Sequence, residues 1–404
     1  MQFTLQHLQN SVTAPKGFKA AAVASGIRYH ERTDLALIVS DVQAECAAVY
    51  TQNKFKAAPL TITEQNLANG KCQAFVCNSG IANAGMGEVG LKSARLMSEM
   101  TAEALNIAPD DVVVASTGVI GMPLPMDKLA KGIKKAAEVL DYNKGLEAAF
   151  AIMTTDLVVK ECSLSYEYKG KTVTIGGIAK GSGMIMPNMA TMLGFITTDA
   201  NISATALKKL IKAGVDKTFN MISVDGDTST NDMVAVMANG LSGIDLLDND
   251  AEGLALFGEA LNTVFLYLAK SIAKDGEGAN KLIIATVNGA KDEKDAKLAA
   301  KAIINSSLVK TAVFGCDANW GRIACAVGYS GAEFAQENVD IYIGEMQVAK
   351  KGMGIDFDEE TAKTILEQGE VVITVDLGAG QTSATAYGCD LSYEYVKING
   401  SYRS

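Results

Sequence analysis

The stretch that most limits how this chain can fold is KGSGMIMPNMATMLGFITTD, Lys180 to Asp199. Glycine and serine open it, Pro187 and Asn188 interrupt it as a turn, and Thr191 to Thr197 reads as an apolar β-strand. Thr191 therefore stands at a turn-to-strand junction, where a hydroxyl can be aimed at the carbonyl that precedes it. A plainer reading of the same residues is a loop feeding a core strand, with Thr191 as an ordinary β-former.

The rest of the sequence narrows the choice by what it lacks. Its 404 residues, 48% of them hydrophobic, suffice for two to three domains with a large core. No apolar run approaches the roughly 18 residues of a membrane span, and MQFTLQHLQNSV lacks the basic start of a signal peptide, so the expected address is the cytoplasm. A net charge of -10 argues against a nucleic-acid partner, because phosphate binding needs clustered Lys and Arg. The seven cysteines form no CxxC pair and lie mostly in apolar runs. They read as buried free thiols rather than a zinc site or a disulfide framework, and no metal is expected. With only two histidines, His7 and His30, a catalytic base in this chain is expected not to be imidazole.

Short apolar runs between polar breaks predict strands at Leu35 to Ser40, Ala47 to Thr51 and Gln73 to Asn78. The glycine-rich Asn78 to Gly90 then leads into a helical period over Leu91 to Asn106. Gly85-x-Gly87-x-x-Gly90 sits too far from the preceding strand for a dinucleotide fingerprint, so a glycine-rich start to a helix is favoured. A strand over Asp111 to Ala115 ends in Ser116-Thr117-Gly118, where glycine after a polar strand end exposes backbone N–H groups, as in oxyanion holes and in plain turns alike. Helices are predicted at Asp127 to Leu140 with Asp127 as N-cap, from Ser203 to Lys217, and at Ala251 to Lys274. A hairpin turns at Tyr168-Lys169-Gly170. FNMISVDGDTSTND lacks the EF-hand spacing and reads as a self-bonded polar loop. From about residue 281 a smaller unit of strands and helices follows with no linker, closing on a tyrosine-rich tail read as a strand carrying Asn399.

Read together, KGSGMIMPNMATML, ASTGVIGMPLP, MTTD, FNMISVDGDTSTND, KDGEGANK, LVKTAVFGCDANWGR and CDLSYEYVKING resemble the ornithine acetyltransferase family, the glutamate N-acetyltransferases of the cyclic arginine pathway. The similarity spans essentially the whole chain. It implies an α+β fold, an αββα four-layer sandwich with N-terminal-nucleophile chemistry over residues 1–280, and a smaller C-terminal α/β domain over 281–404. Self-cleavage between Ala190 and Thr191 is implied too, and so is a heterotetramer of two 1–190 and two 191–404 chains. Cutting that bond frees an α-amine with a reference pKa of about 7.7–8.0, able to act as the base that histidine does not supply.

By the same resemblance Thr191 is the nucleophile of a ping-pong acetyl transfer from N2-acetyl-L-ornithine to L-glutamate, and Thr117 and Gly118 form the oxyanion hole. Substrate contacts map onto Thr154, Lys180, Thr191, Glu277, Asn399 and Ser404. Lys180 offers a cation for an α-carboxylate and Glu277 an anion for an ammonium group. No cofactor is implied, with acetyl-CoA a candidate co-substrate. The sequence departs from the family pattern at Ile81, Asn280, Ala318, Tyr387 and Ser404. Two rival readings stay open: a related self-processing aminopeptidase that passes the acyl group to water, and a non-catalytic binding subunit on the same fold.

Overall fold

The computed structural model describes residues 10–28, 31–186 and 192–401. Two compact units emerge: residues 1–181, 187–220 and 228–269 form the first, and residues 182–186, 221–227 and 270–404 the second.

In the first unit, strands and helices alternate as β1 (Phe18–Val23), β2 (Leu35–Tyr50), α1 (Ala58–Asn66), β3 (Lys71–Asn78), α2 (Gly87–Leu105), β4 (Val112–Ser116), α3 (Met126–Glu138) and α4 (Gly145–Ala151). The hairpin β5 (Lys160–Tyr168) and β6 (Lys171–Lys180) follows, then β7 (Leu193–Thr198), α5 (Ala204–Lys217), β8 (Met233–Ala238) and α6 (Ala251–Lys274). Among the described residues eight strands join in the order β4-β3-β2-β8-β7-β6-β5, with β1 on β2. The β5–β6 turn is made by Lys169 and Gly170 at φ 48° and 72°, the left-handed pair a two-residue hairpin requires.

Strand β2 folds this sheet over itself. Its register against β3 shifts between Val39 and Ala44, and residues 41–43 there are exposed, so its first half pairs with β1 and β3 and its second half with β8. Side chains then alternate between two cores. Phe75, Cys77, Val113 and Ala115 face Leu193, Phe195, Met233 and Ala235, with the Phe75 and Phe195 rings 5.4 Å apart. Ala74, Val76, Val112 and Val114 face Ala94 and Met97 of α2 and Leu129 and Ile133 of α3. Beyond the other half, α6 lies against β6, where a Cβ at Gly177 would meet Leu268 and Val264 at 3.0 and 3.1 Å. The fold is α+β, with this unit an αββα sandwich of four layers.

The second unit holds β9 (Leu282–Ala290), α7 (Glu293–Asn305), α8 (Ser307–Phe314), α9 (Trp320–Gly328), β10 (Asp340–Ile343), β11 (Met346–Lys350), β12 (Met353–Gly354), α10 (Glu359–Leu366), β13 (Glu370–Asp376), β14 (Thr382–Cys389) and α11 (Tyr393–Gly400). Among the described residues its six-stranded sheet runs β12-β11-β10-β13-β9-β14, packed through Ile283, Ala285 and Ile373 on Ala299, Ile303 and Ile323.

Three local expectations change. The two strands read at Leu35 to Ser40 and Ala47 to Thr51 are one strand, because the exposed residues Asp41, Val42 and Gln43 form a bulge inside it instead of ending it. Asp127 lies in the first turn of α3, behind Pro125 at the N-cap. The tail is helix α11, not a strand: the Ser392 hydroxyl caps it by accepting the Glu394 N–H at 3.2 Å. Of the cysteines, Cys316 is half-buried and Cys325 exposed, while the other five are buried. No helix among the described residues is long and apolar enough to cross a membrane.

Candidate active site

The Ser116-Thr117-Gly118 turn follows β4 directly, and the chain around it is tied down by the end of β3. Ser116 Oγ donates to Asn78 Oδ1 at 2.6 Å, and the Thr117 N–H donates to the Asn78 carbonyl at 2.9 Å. Beyond Gly118 the Val119 N–H reaches the Gly80 carbonyl at 3.2 Å and the Ala82 N–H reaches the Val119 carbonyl at 3.0 Å. Gly118 has φ +132°, and a Cβ there would sit 2.2 Å from the Gly80 carbonyl carbon, so the close approach of the two loops requires glycine. Because the Thr117 amide is already committed, the donor Thr117 can offer a ligand is its hydroxyl.

Asn231, just before β8, locks the same two loops together. Its Nδ2 donates to the Ala82 carbonyl at 2.6 Å and to the Ser116 carbonyl at 2.9 Å. Sequence reasoning passed over it; its one signal was the polar density of SVDGDTSTND.

Lys180 ends β6 and is 7% exposed. Its Nζ lies 3.9 Å from Asp156 Oδ2, whereas Asp156 Oδ1 accepts Lys160 Nζ at 2.7 Å and the Gly181 N–H at 2.7 Å. Asp156 also accepts the Thr154 N–H at 3.0 Å, while Arg32 donates to the Thr154 carbonyl at 3.2 Å. Burial pushes the Asp156 carboxyl up, but the Lys180 and Lys160 cations and the donors around it win and hold it well below the usual carboxylate range. Two buried cations thus share one buried carboxylate, the closer being Lys160, and Lys180 keeps attraction for a second anion. The structure brings Thr154 and Lys180 together through Asp156, two residues past the threonine quoted in MTTD. The Lys180 charge also reaches Cys77 on β3, whose thiol burial has pushed up to about 12.

In the second unit Glu277 is 6% exposed and accepts Asn399 Nδ2 at 2.8 Å, so these two sequence-predicted residues are paired. The Glu277 carboxylate occupies the space a side chain at Gly183 would fill, since a Cβ there would lie 2.3–2.4 Å from the carboxylate atoms. Its N–H donates to the Ser182 carbonyl at 3.0 Å. Asp225 holds the next turn by accepting the Met184 and Ile185 N–H groups at 2.7 and 2.8 Å, with Met184 at φ 57°. Tyr395 OH donates to Asp225 at 3.3 Å, and burial with the Asp225 charge raises its pKa. Gly183 and Asp225 were not singled out from the sequence. Asn280, one of the departures, donates its N–H to Asp390 at 2.8 Å. Ala190, Thr191 and Ser404 lie outside the described residues. Among the described residues no group of three or more His, Cys, Asp or Glu is arranged to hold a metal ion.

Comparison with known proteins agrees with this architecture. Residues 19–404 match the ArgJ family. The arginine biosynthesis bifunctional protein ArgJ of Symbiobacterium thermophilum is 52% identical over 402 residues, covering 99% of this chain and 100% of that one. Its counterpart from Geobacillus stearothermophilus is 52% identical over 395 residues, covering 98% and 96%. A crystal structure of arginine biosynthesis bifunctional protein ArgJ from Bacillus halodurans superposes with a TM-score of 0.50 at 50% identity, covering 51% of this chain and 97% of that one. At that identity over nearly its whole length, the chain belongs to the ArgJ family.

Proposed function

We propose that this chain is an acyltransferase that moves an acetyl group from N2-acetyl-L-ornithine to L-glutamate, giving L-ornithine and N-acetyl-L-glutamate for arginine biosynthesis, after cutting itself between Ala190 and Thr191. The observation that carries the reading is the Thr117–Gly118 turn. Its glycine is enforced by the Gly80 backbone and its threonine is left with a hydroxyl to give, the two-donor arrangement an acyl-transfer oxyanion needs.

In the first half-reaction the Thr191 α-amine takes the Thr191 hydroxyl proton as Oγ attacks the acetyl carbonyl. The oxyanion is met by the Thr117 hydroxyl and the Gly118 N–H. Collapse breaks the amide bond, and the ammonium on Thr191 returns the proton to the departing ornithine amine. Glutamate's amine then attacks the acetyl ester along the reverse path. Lys180 takes an α-carboxylate and the Glu277 carboxylate, oriented by Asn399, takes an ammonium group; Thr154 and Ser404 complete the substrate contacts. The relatives' description as bifunctional supports acetyl-CoA as a second donor. The processed protein is a cytoplasmic heterotetramer of two 1–190 and two 191–404 chains.

The test is ornithine release from acetylornithine with and without glutamate, beside mass spectrometry of the purified chain and of Thr191→Ala. Glutamate-dependent release, with fragments 1–190 and 191–404 absent from the variant, is expected. Release indifferent to glutamate would point to hydrolysis and sink the transferase reading.

A further inference from the structure

The acyl-transfer reading leaves LVKTAVFGCDANWGR and the last residue of KDGEGANK without a chemical part, and within the second unit the two motifs meet. Lys281 closes KDGEGANK just before β9, and Cys316 follows α8. Lys281 Nζ donates to Cys316 Sγ at 2.9 Å and to the Val313 carbonyl at 2.7 Å. The first distance is that of an ordinary N–H···O bond although sulfur is the larger atom, so amine and thiol are in full contact. Among the described residues the partners of Nζ are this carbonyl and this sulfur, with no carboxylate to fix its charge.

Both ends of the contact are held. The Lys281 N–H donates to Asp390 Oδ1 at 2.9 Å, beside the Asn280 N–H at 2.8 Å. Cys316 has φ +54°, the left-handed position past a helix end that glycine usually fills, and its N–H donates to the Val313 carbonyl at 3.3 Å. The Val313 carbonyl therefore accepts from both partners, the Cys316 amide and the Lys281 ammonium. Access sets this pair apart. Lys310 Nζ also lies 3.6 Å from Cys389 Sγ, but that lysine and cysteine are 4% and 1% exposed, whereas Lys281 and Cys316 are both half-buried and open to a small solute. Cys325 is the converse: it is exposed, with no lysine at hydrogen-bond distance among the described residues.

We propose that Lys281 and Cys316 form a modification site, at which hydrogen peroxide drives a reversible covalent cross-link between the lysine nitrogen and the cysteine sulfur. In the first step the sulfur attacks one peroxide oxygen and the O–O bond breaks; the thiol is oxidised to a sulfenic acid and the peroxide is reduced to water. In the second the Lys281 amine, its extra proton given to solvent, attacks that sulfur. The S–N bond forms, the S–O bond breaks, and the hydroxide leaves with one amine proton as water. Two electrons have passed from sulfur to peroxide. Two molecules of an external thiol return them, restoring amine and thiol and leaving as their disulfide. Sulfenic acids condense in this way with a nitrogen held close by, and here the nitrogen is already in contact with the sulfur. The product ties the start of β9 to the end of α8. Both residues lie in 191–404, so the cross-link does not depend on whether the chain is cut.

The experiment treats the purified protein with hydrogen peroxide and maps it by mass spectrometry after digestion at acidic residues, which leaves Lys281 uncut. Wild type should give the Lys281 and Cys316 peptides joined and lighter by two hydrogens, and dithiothreitol should separate them. In the same sample Cys325, without an amine, should advance to a sulfinic acid, while Cys389 stays a thiol. Lys281→Arg keeps the cation but has no amine to attack, so its Cys316 should also end as a sulfinic acid. A cross-link removes freedom from the unfolded chain, so peroxide should raise the wild-type denaturation midpoint, dithiothreitol should return it, and Cys316→Ser should show neither change. Cys316 recovered in wild type as a sulfinic acid with Lys281 unmodified overturns the assignment. So does an unoxidised Cys316 in a sample whose Cys325 is oxidised. These wild-type outcomes need no variant to fold.

Discussion

Gly118→Ala is the sharpest test of the oxyanion turn. The added Cβ would lie 2.2 Å from the Gly80 carbonyl carbon, 2.4 Å from its oxygen and 2.6 Å from the Ile81 nitrogen, all backbone atoms. Ordinary contact begins at 3.4 Å, so the two loops must part by 3.4 − 2.2 = 1.2 Å. They cannot part freely: Val119 is bonded to Gly80, Ala82 to Val119, and Asn231 spans Ala82 and Ser116. Some of the movement must fall on residue 118 itself. An oxyanion donor acts over about 2.7–3.1 Å, so a displacement near 1 Å removes it, at about 2.7–4 kcal/mol or 10²–10³ in kcat. Overpacking adds about 1–3 kcal/mol to the cost in stability. Substrate is held elsewhere, so KM should change much less. The assay is steady-state ornithine release at saturating glutamate, with a melting curve for each variant. Thr117→Val and Thr117→Ser provide the control: with the Thr117 amide spent on Asn78, serine should keep most of the rate and valine lose it. A Gly118→Ala enzyme within about threefold of wild-type kcat, or equal rates for Thr117→Val and Thr117→Ser, would refute the argument.

Gly183→Ala should push the Glu277 carboxylate out of its place and break its bond to Asn399. We expect KM for the amino-acid substrate to rise by roughly tenfold to a hundredfold, the loss of a hydrogen bond to a charged group of about 1.5–3 kcal/mol; an unchanged KM would contradict the role given to Glu277. Asp156→Asn leaves Lys160 and Lys180 facing each other with side chains 1% and 9% exposed, and should cost about 3–5 kcal/mol in chemical denaturation. Because the folded Asp156 carboxyl is depressed, its contribution is complete above the unfolded pKa of about 3.9 and is lost as pH falls below it. The gap between wild type and Asp156→Asn should therefore close in acid, and a gap that is constant with pH would be wrong for this ion pair.

Where local chemistry decides the structure, the sequence could be read directly. Helix α6 ends at Lys274, where the glycines of Asp275-Gly276-Glu277-Gly278 mark its end, Ser203 caps α5 by accepting the Ala206 N–H at 3.2 Å, and Lys169-Gly170 turns the β5–β6 hairpin. Where a distant partner decides, it could not. The tail looks like a strand because Tyr393, Tyr395, Val396 and Ile398 are good β-formers, but as helix α11 it carries Tyr395 and Asn399 to Asp225 and Glu277, 170 and 122 residues away in sequence. The motif MTTD pointed to Thr154, while the residue that binds Lys180 and Lys160 is Asp156, a contact set by the pairing of β5 with β6.

Topology explains why the motifs of the first unit had to be read together. Strands β3 and β4 are parallel, so Asn78 and Ser116 end side by side and their following loops zip. Strand β6 is antiparallel to β7, which is parallel to β8, so the end of β6 at Lys180 meets the starts of β7 and β8 at Leu193 and Met233. Asn231, one residue before Asp232 and two before Met233, reaches across to the Ser116 and Ala82 carbonyls and joins the two groups of strand ends. A cation and a donor turn are thereby gathered at one edge from segments up to about 150 residues apart in sequence. Each segment alone reads as a turn beside a strand. Only the pairing of parallel and antiparallel neighbours makes them a site, which is why residues whose part is to hold that edge, such as Asn231, carry no signature of their own.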